Sequence, residues 1–222
     1  MTSRNWVKLF INTSMIGAIV TVITGFIVRW DEFEPLFTDV DFLEILSVLI
    51  WLVGVGLIFS LLSQMGFFAY LTVHRFGLGI FKSVRLWNGV QAVILAFVLF
   101  DLIYLRYISF AKEGEGTVSY VIPALVVFAA GLVAAWLKMR QTNKEAFIPA
   151  LFFMVVGTVI EWVPVLRVNE GSWFYLMLIP LLVCNGYQLL VLHKLNEKSL
   201  EERKKMQEKK TRQETKQLKP SK

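Results

Sequence analysis

Between residues 45 and 73 the chain runs 29 residues without one charged side chain. As a helix rising about 1.5 Å per residue, that run would be about 43 Å long, well beyond the roughly 30 Å hydrocarbon core of a bilayer. Five more stretches reach or approach spanning length, so six spans are expected at about 7–28, 45–73, 88–107, 118–137, 146–163 and 172–192. In lipid each backbone polar group must be satisfied inside the segment, which leaves the α-helix as the form for such runs. The chain therefore reads as all-α: a polytopic membrane helix bundle over residues 1–195, then a basic tail at 196–222. The second span is over-long, so it either tilts steeply or breaks near Gly66. The composition agrees, since only 18% of residues are charged and the mean hydropathy is +0.59, against about 25% charged in soluble domains.

The first span has an apolar stretch too long for a signal-peptide core and runs into Arg29 without a small-residue cleavage site, so it is expected to stay as an anchor. Thr13, Gly17, Thr21 and Gly25 recur every fourth position along it, giving one face of small side chains for close helix packing.

Lys and Arg counts between spans set the orientation. Nineteen lie at the N-terminus, at 74–87, at 138–145 and in the tail, whereas the opposite side has only Arg29, Arg106, Lys112 and Arg167. Both termini are expected in the cytoplasm, with the protein in the cell membrane. The tail from residue 193 holds 11 Lys and Arg against five acids, so the net charge of +6 belongs to it alone. It is expected to extend the last span as a helix that frays, and to lie along anionic lipid headgroups. With the basic charge confined there, nucleic acid is not an expected partner.

The stretch SQMGFFAYLTVHRFGLGIF at 63–81 takes in the end of the second span and continues past it. Its rings suit the headgroup boundary, and His74, Arg75, Lys82 and Arg85 are candidate contacts for anionic lipid or for a protein partner. GLGIFKS fails the phosphate-loop pattern, because Phe81 stands where glycine must precede the lysine.

Three polar residues within or beside the spans form a candidate intramembrane site: Asp101, Gln64 and Glu161. A carboxylate in hydrocarbon costs kilocalories, so Asp101 either holds helices together or binds a ligand or proton. Glu161, between aromatic neighbours, is expected near the outer interface with a helix break at Pro164 just beyond it. Asn185 and Gln188 in the last span read as interhelical hydrogen-bonders. The outer stretch DEFEPLFTDVDFLE has six acids, among them Asp39, Asp41 and Glu44, but lacks calcium-loop spacing and reads as a solvated loop. One cysteine and two histidines give no disulfide and no His-rich metal site. No nucleophile–base set is visible, so no catalytic residue, metal or cofactor is expected.

The runs SRNWVKLFINTSMIGAIVTVITGFIVRWDEF, IWLVGVGLIFSLLSQMGFFAYLTVHRFGLGIF and AFVLFDLIYLRY together resemble the KinB-signalling-pathway activation family, KbaA, small polytopic membrane proteins of endospore-forming bacteria. The resemblance covers about residues 3–195 and leaves out the tail. It implies a non-enzymatic positive regulator through which a KinB-type membrane histidine kinase feeds the sporulation phosphorelay. It transfers no functional residue. The competing expectation is a small membrane transporter or ligand sensor with Asp101 in an intramembrane cavity.

Overall fold

The computed structural model of the chain describes residues 2–38, 41–111, 116–168 and 171–217, and every regular element in them is helical. In order these are α1 (Ser3–Val28), α2 (Trp30–Thr38), α3 (Phe42–Phe81), α4 (Val84–Phe100), a π-helical turn (Asp101–Leu105) and α5 (Arg106–Phe110). There follow α6 (Val118–Gln141), a 3-10 turn (Lys144–Ala146), α7 (Phe147–Phe152), a second π-helical turn (Phe153–Gly157), α8 (Thr158–Val168) and α9 (Gly171–Gln217).

Among the described residues six helical stretches are long and apolar enough to cross a membrane: Ser3–Val28, Phe42–Phe81, Val84–Phe110, Val118–Gln141, Lys144–Arg167 and Gly171–Lys209. Consecutive spans alternate in direction. The start of α1, the 82–83 turn, the 142–143 turn and the extension of α9 thus lie at one end of the bundle, here the tail face. The other end is the far face.

The second span is one unbroken helix of 40 residues, about 60 Å long. Gly66 does not break it, because its backbone is packed against a neighbouring helix. The end of the aromatic stretch, residues 74–81, is likewise the last two turns of α3. The chain reverses in two residues: Lys82 takes a left-handed φ of 51° with its N–H on the carbonyl of Leu78, and Ser83 caps α4 through Leu86 N–H. The acidic stretch is also not simply a loop. Trp30–Thr38 is helical, with Asp31 and Glu32 in the first turn, where negative charge suits the N-terminus, and Phe33 is buried, edge-on to Phe26. Asp41 caps α3 by accepting from Glu44 N–H; Asp39 lies outside the described residues. Pro164 sits inside α8 and does not end it.

Small residues let α1, α3 and α9 meet at the bundle centre. Thr13, Gly17, Thr21 and Gly25 are all buried. A β-carbon on Gly17 would come 2.6 Å from Ser60 Cβ, and one on Gly56 2.8 Å from Gly17 O, so only glycines permit this crossing. Gly131 plays the same part in α6, where a β-carbon would stand 2.9 Å from Val155 Cγ2. Beyond the spans α9 continues as helix through the basic stretch to Gln217. Its extension is latched to the N-terminus: Ser199 Oγ accepts from Thr2 N–H and Asn5 Nδ2, and Arg4 pairs with Glu202 at 2.6 Å.

Candidate functional site

The interior of the bundle holds a chain of polar side chains across three helices. Gln188 Nε2 donates to Ser63 Oγ at 2.7 Å, and Ser63 Oγ donates to Asn185 Oδ1 at 2.7 Å. Asn185 Nδ2 then donates to Glu161 Oε2 at 2.7 Å and to Thr158 Oγ1 at 3.0 Å. Ser63, Thr158, Asn185 and Gln188 are fully buried, and Glu161 is 8% exposed. The chain ties α3, α8 and α9 together at points where apolar contact alone gives little specificity in lipid. It is short of donors: Glu161 Oε1 and Gln188 Oε1 are buried without a hydrogen-bond partner.

Glu161 therefore does not sit at the outer interface. Its carboxyl lies over the Cα of Gly66, where any β-carbon would overlap Oε1, and Asn185 meets it 14 residues into α9, about 21 Å from that helix's start. Gln64, 3% exposed, turns instead to α1 and donates to Ser14 Oγ at 3.3 Å. Asp101 joins neither residue. It is exposed on the outside of the bundle at the first position of a π-helical turn, so the picture of Asp101 in an internal cavity is corrected. Asn185 and Gln188 were legible as interhelical bonders, whereas Ser63, Ser14 and Thr158 carry no separate sequence signal. Among the described residues no three His, Cys, Asp or Glu side chains gather as a metal site.

At the tail face the four candidate contacts divide. Arg75, Lys82 and Arg85 are exposed, but His74 is half-buried and engaged. Trp87 Nε1 donates to His74 Nδ1 at 3.0 Å while the Trp87 ring stacks on Phe81 at 5.5 Å. Gly77 leaves the space the indole fills, since a β-carbon there would overlap it. The α3–α4 turn is thus a locked corner presenting three cations. Arg75 borders a recess of about 380 Å³ with Trp6, Phe68 and Phe76, and His74 borders another of about 300 Å³ with Tyr70 and Lys138. Lys138 is 8% exposed and donates to Leu189 O at 2.8 Å. Basic and aromatic side chains around apolar recesses are what a headgroup layer meets favourably.

The far face carries a second belt. Arg29 lies 5.5 to 5.8 Å from the rings of Phe33, Trp51 and Trp173, and Arg106 lies 5.3 Å from Tyr120 and 4.6 Å from Phe174. Between Trp87 and Tyr107 the third span covers 20 residues, about 30 Å, the thickness of a hydrocarbon core.

The family model for KinB-signalling pathway activation in sporulation, KbaA, matches residues 17–195. A curated protein of Bacillus subtilis (strain 168), the KinB-signaling pathway activation protein, is 46% identical over 194 residues, covering 87% of this chain and 98% of that protein. No solved structure matches the chain.

Proposed function

We propose, from the premise that this chain belongs to the KbaA family of KinB-signalling pathway activation proteins, that it is an integral membrane regulator raising the output of a KinB-type sensor kinase. The observation that carries this reading is the 46% identity to a relative of that name, over 98% of the relative's length. The relative's printed role is activation of KinB signalling; direct contact with the kinase is our inference for this chain.

In this reading six helices cross the cell membrane, and the tail face, with both termini, is cytoplasmic. The support is the excess of Lys and Arg at that face. The exposed cations of the 82–83 corner and of the tail lie against anionic headgroups, each contributing about 1 kcal/mol when near the surface. No enzymatic step is needed. A membrane protein that contacts two conformations of a kinase unequally shifts their populations by its differential affinity.

Deleting the chain should abolish phosphorelay output through the KinB-type kinase while leaving output through a parallel sensor kinase intact. Equal loss through both kinases, or no loss through either, overturns the reading.

A further inference from the structure

We propose that the outward face of the Val84–Phe110 span, centred on Asp101, docks a transmembrane helix of another protein bearing a lysine or arginine at the depth of Asp101. This rests on the reading above, and it makes a membrane helix of the kinase the occupant.

The Val84–Phe110 span is the least enclosed of the six, with 11% of its most apolar window buried against 56% for Lys144–Arg167. Its outward stripe includes Phe97, 63% exposed, Tyr104, 51%, and Ile108, 62%. Lipid covers such side chains without cost, and they alone specify no partner. Asp101, exposed within the same stripe, is what lipid cannot satisfy.

Depth and direction close the escape routes. Arg106 and Tyr107 stand in the far-face belt against Tyr120 and Phe174. Asp101 lies five residues deeper, about 8 Å inside that belt. The Cα–Cβ bond of a helical residue leans toward the helix N-terminus, which for this span is the tail face. The short carboxylate therefore points toward the bilayer middle, unlike a long lysine that can snorkel. The π-helical turn begins at this residue and inserts one extra position before Arg106. Arg106, just past the turn, is buried against its rings while Asp101 is exposed, and π-turns of this kind are frequent at functional sites.

Charge complementarity selects the occupant. Intramembrane carboxylates pair with basic groups. Among the described residues a second copy of this chain offers none at that depth: Arg106 and Lys138 are buried in the bundle, Arg29 belongs to the belt, and Arg167 stands one residue from the far-face end of α8. The matching cation must come from a different membrane helix.

The test uses the full chain in its own membrane, with kinase-dependent phosphorelay output as the readout. Asp101→Asn and Asp101→Leu should lower output about threefold to fifteenfold, the range that interhelical polar contacts give, at unchanged protein level. Asp101→Glu should keep most of it. A photo-crosslinking residue at Phe97, Tyr104 or Ile108, with Asp101 intact, should capture the kinase, whereas one at Ile19 on the exposed side of α1 should not. If Asp101→Leu fails to accumulate, that crosslink decides the matter. Full output from Asp101→Leu, or no kinase captured from any of the three positions, overturns the docking face while the deletion phenotype still stands. If deletion itself leaves output intact, the functional reading has failed instead.

Discussion

The carboxyl group of Glu161 rests on the backbone of Gly66, so close that a β-carbon at position 66 would force the carboxyl out of its place between α8 and α3. The same carboxyl accepts from Asn185, which places three spans in one contact. Gly66→Ala should therefore destabilise the bundle by about 1–3 kcal/mol, the cost of forcing a methyl into a packed interior. Thermal unfolding in detergent measures it. Glu161→Ala removes the obstructing group, so the double variant should lose much less than the sum of the two single variants. Additive losses would mean that the two residues do not touch.

Asn185 is the hub of the polar chain, accepting from Ser63 and donating to Glu161 and Thr158. Replacing it with leucine leaves several buried polar groups without their partner at once. The expected cost is about 1–3 kcal/mol for each group so stranded. Ser63→Ala strands fewer, and should cost less in the same unfolding experiment. Equal costs for both variants would contradict the hub.

The corner at the tail face is predicted to depend on shape before hydrogen bonding. Trp87→Phe keeps a ring beside Phe81 but loses the donor to His74 Nδ1, a net change of about 1 kcal/mol. Gly77→Ala collides with the indole itself and should be the more damaging variant. Limited proteolysis between α3 and α4 reads both; a nick should appear first in Gly77→Ala.

The latch between the N-terminus and the α9 extension contains one exposed ion pair and one buried hydroxyl. Arg4→Ala removes only the pair with Glu202 and should cost less than about 1 kcal/mol. Ser199 is 2% exposed and accepts from both Thr2 and Asn5, so Ser199→Val should release the start of α1. Amide hydrogen exchange over residues 2–9 should rise strongly for Ser199→Val and slightly for Arg4→Ala.

The number of helices long and apolar enough to cross a membrane was legible because apolar length alone decides it, and the small-residue face of α1 because a four-residue spacing is a property of one helix. The facing of individual polar residues was not. Asp101, Gln64 and Glu161 each interrupt an apolar run, and nothing local tells a carboxylate buried against Gly66 from one exposed on an outer helix. That difference is set by which helices pack together. It is set also by the π-helical turns at Asp101–Leu105 and Phe153–Gly157, each of which rotates the residues after it. Gly66 read as a break because glycine weakens helices, but here its missing side chain is what the contact requires. The corner at Lys82 was blurred for a related reason: the aromatic-rich stretch before it suits a headgroup layer equally as helix or as surface segment.

All of these predictions presuppose six helices across one bilayer with both termini on the cytoplasmic side. The direct test is cysteine labelling of intact cells with a membrane-impermeant maleimide, using Glu113→Cys and Lys222→Cys. The native Cys184 is fully buried and supplies little background. Position 113 should react in intact cells and position 222 only after permeabilisation. Labelling of position 222 in intact cells would contradict it.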